Sequence, residues 1–204
     1  MYFPLYVDLK DKKVLIVGGG SVALHKLRKL KPFEAKITVA SLDFLPEFYS
    51  EEEIILLETA YSDELLEDCE MVIAATDNHE LNGQIADSCR KKRIPVNSVD
   101  DRENCSFIFP SLITRGLLCV GISTSGASPS LAAELKSDIE SVIPDNIEAV
   151  LDFLNEKRSE VKALLSPDKA KSFYHRLVTD IMYSCPPYDE CYRCLLDEYG
   201  VKNR

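Results

Sequence analysis

Short apolar runs alternate with amphipathic segments over the first hundred residues. The strand-like runs are VLIV at 14–17, ITVA at 37–40, IILL at 54–57, MVIAA at 71–75 and PVNSV at 95–99. The segments between them that predict helices are VALHKLRKLK, DFLPEFYSEEE, DELLED and HELNGQIADSCRKK. Strand, helix and strand repeated at this spacing predict a parallel sheet with crossover helices. Because the strands are almost continuously apolar, we expect a doubly wound α/β domain whose sheet is buried on both faces.

The pattern changes after Val99. FIFPSLITRGLLCVGIST contains two strand-like pieces joined at Arg115-Gly116, which predict a hairpin. Ser128 followed by Pro129 is typical of a helix start, and this helix should end near Pro144. Residues 146–199 have the apolar spacing of two or three amphipathic helices. We therefore predict a first domain at 1–112, a small strand-and-helix region at 113–145 and a helical domain at 146–204.

Composition narrows the function classes. The formal net charge of −10 over 204 residues argues against nucleic acid as a partner, since phosphate binding depends on clustered Lys and Arg. No run approaches the roughly 18 apolar residues of a membrane span, so no membrane association is expected. The first residues lack the order of a signal peptide, which favours the cytoplasm. In that compartment the seven cysteines are expected to be reduced.

A glycine motif follows the first predicted strand. Gly18, Gly20 and Ala23 form G-x-G-x-x-A between a strand and a helix. In this context Gly18 allows a tight turn, Gly20 lets the backbone approach a pyrophosphate, and Ala23 lets helix and strand pack closely. The motif predicts a Rossmann-type dinucleotide site in which the helix N-terminus faces the phosphates. The alternative is a glycine turn without a ligand.

The choice between NAD and NADP depends on the end of the second strand. An acidic residue there would hold the adenosine ribose, and Asp43 stands two residues after Ser41. No Lys or Arg stands beside it to meet a 2′-phosphate. The sequence therefore favours NAD.

A second polar group follows the fourth and fifth strands. Thr76-Asp77-Asn78 ends one strand, and residues 97–101 end the other. Ligands in such sheets bind beyond the carboxyl ends of the strands, so both groups should share an edge with the glycine loop. Asp77 and Asn78 could instead serve as turn formers and helix caps. Asp100 lies where the second set of strands begins and should face a cleft.

Together these motifs resemble the precorrin-2 dehydrogenase family, which forms the N-terminal part of siroheme synthases. The matching stretches cover about residues 2–145 in the family's order. They are YVDLKDKKVLIVGGGSVALHKLRKL, ITVASLDFLPEF, VIAATDNHELN, VNSVDDRENCSFIFPSLITRG and ISTSGASPSLA.

The resemblance implies NAD-dependent oxidation of precorrin-2 to sirohydrochlorin, a step toward siroheme. It implies a homodimer formed through residues 113–145, and C-terminal helices that help to wall the tetrapyrrole cleft. It also implies a catalytic role for Asp100 and NAD contacts at Ser21-Val22 and Leu42-Asp43. With the glycine loop and the fourth strand, the expected cofactor-binding residues are Gly18, Gly19, Gly20, Ser21, Val22, Ala23, Leu42, Asp43, Thr76 and Asp77.

The implied chemistry agrees with the residues. Aromatising a precorrin removes a hydride, which the nicotinamide accepts, and a proton, for which the Asp100 carboxylate is a candidate base. The substrate carries many carboxylates, so we expect Lys and Arg side chains to be clustered around its binding site. The candidate substrate-binding residues are Lys26, Arg102, Arg115, Ser128 and Lys136. Each cation could equally be a solvated surface charge, and helix capping is the main role expected of Ser128.

Three cysteines lie close together near the end of the chain, at Cys185, Cys191 and Cys194. They could bind a metal with His175 as a fourth ligand. However, there is no second C-x-x-C, and thiols three residues apart on a helix can simply share a face. We therefore predict a structural or incidental role and no metal site.

Two alternative functions stay open at this point. In some members of the family the same cleft also inserts ferrous iron. A different class would be a non-catalytic NAD-sensing protein that kept the dinucleotide domain, although such a protein would not require Asp100, SFIFPS or SGASP.

Overall fold

The computed structural model describes residues 2–201. Met1 and the last three residues of the predicted 146–204 helical domain lie outside the described residues. The chain divides into two compact units, with the division between Phe109 and Pro110. The three-part division at 112 and 145 stays a prediction.

The first unit is built on a parallel sheet. Its five strands, among the described residues, are β1 (Lys13–Val17), β2 (Lys36–Ser41), β3 (Ile54–Glu58), β4 (Met71–Ala74) and β5 (Val96–Ser98). Their order is β3-β2-β1-β4-β5, and every pair is parallel. The chain thus starts in the middle of the sheet and moves first to one side and then to the other. This arrangement confirms the predicted doubly wound α/β class.

The central strand shows that both faces of the sheet are buried. Val14 and Ile16 belong to one apolar cluster, whereas Leu15 and Val17 belong to another. Successive side chains of a strand point to opposite faces, so an apolar run of this kind can be buried only between two layers.

Among the described residues of the first unit, two α-helices cover the sheet, α1 (Ser21–Leu30) and α2 (His79–Lys92). Both were predicted. The predictions of α-helices at 43–53 and 63–68 were wrong. The chain forms only short 3₁₀ segments there, Pro46–Ser50 and Asp63–Leu66. Pro46 interrupts the first segment, and six residues are too few to sustain an α-helix in the second.

The second unit begins with the predicted antiparallel hairpin, β6 (Ser111–Arg115) and β7 (Leu118–Ile122). Gly116 occupies the turn with a φ of +54°, a conformation in which glycine carries little strain. The helices that follow are α3 (Pro129–Val142), α4 (Ile147–Leu164), α5 (Pro167–Ile181) and α6 (Asp189–Glu198). The last three confirm the helical periodicity of residues 146–199, and their shared core centres on Phe173.

No helix within residues 2–201 is both long enough and apolar enough to cross a membrane.

Candidate functional site

The glycine loop after β1 is held between the ends of two neighbouring strands. Gly18 donates its N–H to the carbonyl of Ala40 at 2.8 Å and has a φ of +125°. A Cβ at this position would lie 2.2 Å from the carbonyl oxygen of Ala75. Glycine is therefore required here by both the backbone conformation and the space available.

Gly20 faces open space instead. It is the N-cap of α1, and a Cβ built on it would meet no atom within 4 Å. The first N–H groups of a helix have no partner within the helix, and they carry the positive end of its dipole. Below them Ala23 is fully buried in the same apolar cluster as Val14. This open cradle at a helix N-terminus fits the pyrophosphate of a dinucleotide.

A groove of about 730 Å³ runs over the glycine loop and along the carboxyl edge of the sheet. Of the predicted cofactor-binding residues, all but Ala23 line it. Sequence reasoning missed several further lining residues, namely Phe44, Leu45, Thr59, Ala60, Tyr61, Leu81 and Val99. All but Leu81 lie within four residues after the end of a strand, and the general position of ligands in such sheets could have indicated them.

The segment after β2 is tied to the glycine loop. Leu45 donates its backbone N–H to the carbonyl of Gly19 at 3.0 Å. This bond keeps Asp43 at the groove, where the residue is exposed. None of the described residues that line the groove is Lys or Arg. Beyond the end of β2, the groove is therefore lined by the Asp43 carboxylate and, among the described residues, by no Lys or Arg.

The segment between β4 and α2 is held by a side chain whose role was not predicted. Asn82 is fully buried on α2. Its Oδ1 accepts from the backbone N–H of Thr76 at 3.1 Å and from the Thr76 hydroxyl at 2.7 Å, and its Nδ2 donates to the Thr76 carbonyl at 3.0 Å. Thr76 thus lines the groove, but its hydroxyl is engaged with Asn82.

The helix-cap interpretation is confirmed for Asn78. Its side chain accepts a hydrogen bond from the backbone N–H of Leu81 at 3.0 Å and so starts α2. Asp77 is exposed and lines the groove.

Asp100 lies directly after the lining residue Val99 and has both carboxylate oxygens engaged. Oδ1 accepts from the Ser98 hydroxyl at 2.8 Å, and Oδ2 lies 2.8 Å from Nδ1 of His79. Partial burial by itself would raise the pKa of Asp100, but hydrogen bonds from Ser98, His79 and Asn82 outweigh it and lower the pKa below its usual value. The carboxylate is therefore ionised at neutral pH, as a base must be.

Cys105 contacts the end of β5, two residues before Asp100. Its Sγ lies 3.2 Å from the backbone nitrogen of Ser98 and 3.0 Å from the Ser98 carbonyl oxygen. Burial raises the pKa of the Cys105 thiol. The thiol therefore helps to fix the strand end that carries Asp100.

Two of the candidate substrate-binding cations lie in the first unit. The Lys26 ammonium stands 4.1 Å from the centre of the Phe109 ring, and burial, with a smaller effect of Lys29, lowers its pKa. The Arg102 guanidinium lies 5.5 Å from the centre of the Tyr2 ring. Each cation thus rests against an aromatic face.

The other three candidates lie in the second unit. Arg115 is 4.0 Å from Asp145, and Lys136 is 3.7 Å from Glu140 on α3. Ser128 accepts from the backbone N–H of Leu131 at 3.1 Å, so the expected capping role is confirmed.

The clustered cysteines are free thiols. Cys185 and Cys194 are exposed, and Cys191 is partly buried on α6. Over residues 2–201, no three or more His, Cys, Asp or Glu side chains are grouped so that they could hold a metal ion.

Comparison with known proteins agrees with this geometry. A protein family described as "Putative NAD(P)-binding" matches residues 5–111. The chain belongs to this NAD(P)-binding family. Its matched segment contains the glycine loop, the groove and Asp100.

Curated relatives extend the similarity beyond the NAD(P)-binding segment. The chain is 40% identical over 164 residues to "Siroheme synthase 2" of Pectobacterium atrosepticum and 38% identical to the siroheme synthase of Citrobacter koseri. Each match covers 79% of this chain but 36% of the relative. The resemblance to siroheme synthases is therefore confirmed, and the chain spans about a third of the length of these relatives.

A solved structure entitled "SirC, precorrin-2 dehydrogenase" has the same fold. The TM-score is 0.69 at 24% identity, and the alignment covers 98% of this chain and 99% of the other. The likeness thus includes the hairpin and the C-terminal helices as well as the NAD(P)-binding unit.

Proposed function

We propose that the chain is an NAD-dependent dehydrogenase that oxidises precorrin-2 to sirohydrochlorin in siroheme biosynthesis. The observation that carries this proposal is the ionised, hydrogen-bonded carboxylate of Asp100 on the same sheet edge as an open dinucleotide cradle. The similarity to siroheme synthases and to a solved precorrin-2 dehydrogenase supports the choice of substrate.

The chain's own residues supply binding and proton handling. Gly20 and the first turn of α1 would hold the pyrophosphate, and Gly18, Gly19, Ser21, Val22 and Leu42 would shape the groove around it. A bound nicotinamide supplies the hydride acceptor. Asp100 would drive uptake of the proton that the substrate releases, because its carboxylate is ionised and its side chain is 30% exposed.

We propose NAD over NADP because the groove carries Asp43 after β2 and no Lys or Arg among its described lining residues. A carboxylate hydrogen-bonds the two free ribose hydroxyls and repels a 2′-phosphate.

The substrate's carboxylates would meet the proposed cations Lys26, Arg102, Arg115 and Lys136, with Ser128 as a secondary contact. We further propose that residues 113–145 form the interface of a homodimer. Sedimentation analysis of the full chain, combined with substitution of the exposed Leu131 by Glu, tests the dimer.

The direct test of function is anaerobic incubation of the purified chain with precorrin-2 and NAD, followed by NADH absorbance and by the spectrum of sirohydrochlorin. Stoichiometric formation of both supports the proposal, and formation of neither overturns it. A parallel incubation of sirohydrochlorin with Fe²⁺ reports iron insertion separately.

Asp100→Asn separates the catalytic role from binding. We expect turnover to fall on the order of 100-fold, the lower range for loss of a general base, with an unchanged Kd for NAD. NAD affinity can be measured by calorimetry. A variant with full turnover would contradict the role of Asp100.

A further inference from the structure

His79 stands next to the proposed base and has no role in the function described above. It is the first residue of α2 and follows the N-cap Asn78, which lines the groove. Its Nδ1 lies 2.8 Å from Oδ2 of Asp100, although 21 residues separate the two in the chain. A carboxylate after β5 and an imidazole at the start of α2 thus meet, and each directly follows a residue that lines the groove, Val99 and Asn78.

The bond to Asp100 leaves the other ring nitrogen available. His79 has a side chain that is 71% exposed, and among the described residues its Nε2 makes no hydrogen bond. In the neutral imidazole, Nδ1–H donates to the carboxylate and Nε2 is a free acceptor. The carboxylate is less accessible, at 30% exposure, and Ser98 occupies its other oxygen.

We propose that His79 and Asp100 form a proton-relay pair, in which the proton released by the substrate leaves the site through the imidazole of His79. This inference rests on the proposed dehydrogenase function. A bound nicotinamide would accept the hydride with its electron pair, and the free Nε2 of His79 would take the proton while the Asp100 carboxylate stabilises the resulting charge. The pair changes from imidazole and carboxylate to imidazolium and carboxylate, and the imidazolium returns its proton to water.

The electrostatics suit this role. The hydrogen bond and the charge of Asp100 raise the pKa of His79, and burial opposes them weakly. Asp101 is a second carboxylate that raises the pKa of His79. A further acidic residue, Glu80, follows His79 in the first turn of α2. The working form is the neutral imidazole, so the rate should rise with pH through the raised pKa of His79 and level off above it.

The kinetic test compares His79→Asn with the wild-type chain in single-turnover NADH formation from precorrin-2 and NAD between about pH 6 and 9. Asparagine can keep a donor near the position of Nδ1 but cannot carry a proton. We expect a loss on the order of 10- to 100-fold, disappearance of the histidine-dependent pH limb, partial rescue by added imidazole, and an unchanged Kd for NAD. His175→Asn, an exposed histidine on α5, is the matched control and should behave as wild type.

If His79→Asn keeps the wild-type rate and pH profile, the relay is overturned while the dehydrogenase stands. If the wild-type chain forms no NADH from precorrin-2, the proposed function fails, and the relay fails with it.

A second readout does not depend on turnover. In NMR titration of the imidazole resonances, Asp100→Asn should lower the pKa of His79 and leave that of His25 unchanged. Burial, with smaller contributions of Lys29 and Lys26, lowers the pKa of His25, so the two histidines should titrate in a known order in the wild-type chain. An unchanged His79 pKa in Asp100→Asn overturns the pair.

Discussion

Two regions on the same sheet edge reach their geometry by different routes. The glycine loop after β1 is specified within six residues, because Gly18 must turn and Gly20 must leave space for a ligand. The region around Asp100 is assembled from β5 and α2, with the contact between Asp100 and His79 at its centre. The glycine loop is a local sequence motif of the kind that binds a dinucleotide. The Asp100 region, in contrast, depends on two distant segments of the chain being brought together.

The largest expected effect comes from placing a side chain inside the glycine loop. Gly18→Ala would force a methyl group to within 2.2 Å of the Ala75 carbonyl oxygen at a φ of +125°. We expect the free energy of unfolding of the first unit to fall by about 3 kcal/mol, measured by urea denaturation. Wild-type stability in this variant would show that the loop is not held as tightly as the structure indicates.

In the region around Asp100, the next largest effect is expected from removing the buried Asn82 side chain, which holds the loop after β4. Asn82→Ala would leave buried polar groups of Thr76 without their partners, and we expect a loss of about 2–3 kcal/mol. The exposed Gln84 lies on the same helix, so Gln84→Ala is the matched control and should change stability little. Equal effects of the two substitutions would refute the role of Asn82.

Gly20→Ala separates ligand binding from folding within the glycine loop. Its Cβ would meet no protein atom within 4 Å, and the φ of −89° is accessible to alanine. Any loss of stability should therefore be limited to the cost of alanine at an N-cap, on the order of 0.5–1 kcal/mol. The Kd for NAD should rise by about tenfold, because the methyl group occupies the approach of the pyrophosphate. Calorimetry and denaturation on the same sample check both halves. Unaltered NAD affinity would argue for a turn without a ligand.

The smallest effect is expected away from this edge. Glu51 has a side chain that is 11% exposed and pairs with Arg28 at 2.7 Å and Lys31 at 2.8 Å. Hydrogen bonds from Lys31 and then Arg28 lower its pKa, while partial burial opposes them. Glu51→Gln should reduce the free energy of unfolding by about 1 kcal/mol at pH 7.

The pH dependence of that effect has a definite sign. The folded-state pKa of Glu51 lies below its unfolded value, so its contribution is complete above the ordinary glutamate pKa and is lost as the pH falls through the lowered one. The difference between Glu51→Gln and wild type should therefore shrink in acid. Glu52→Gln, at the exposed neighbouring position, is the matched control and should change stability little at pH 7.

Much of the fold could be predicted because the strands are buried on both faces and the long helices have regular apolar spacing. Prediction failed at residues 43–53 and 63–68, where amphipathic composition resembles a helix but Pro46 and short length allow only 3₁₀ turns. Within the candidate site, the glycine loop, Asp43 and Asp100 were identified, whereas Asn82 and His79 were not. A buried asparagine and an exposed histidine have no characteristic local pattern.

The sequence by itself determined the parallel sheet, the dinucleotide loop and the resemblance to siroheme synthases, because apolar periodicity and short motifs are local properties of the chain. Only the tertiary structure decided which groups surround Asp100. Ser98, His79 and Asn82 act on that carboxylate because the packing of α2 against β4 and β5 brings their side chains to the same end of the sheet. Hydrogen bonds and charge interactions act over a few ångströms, so they depend on which distant residues the fold places side by side.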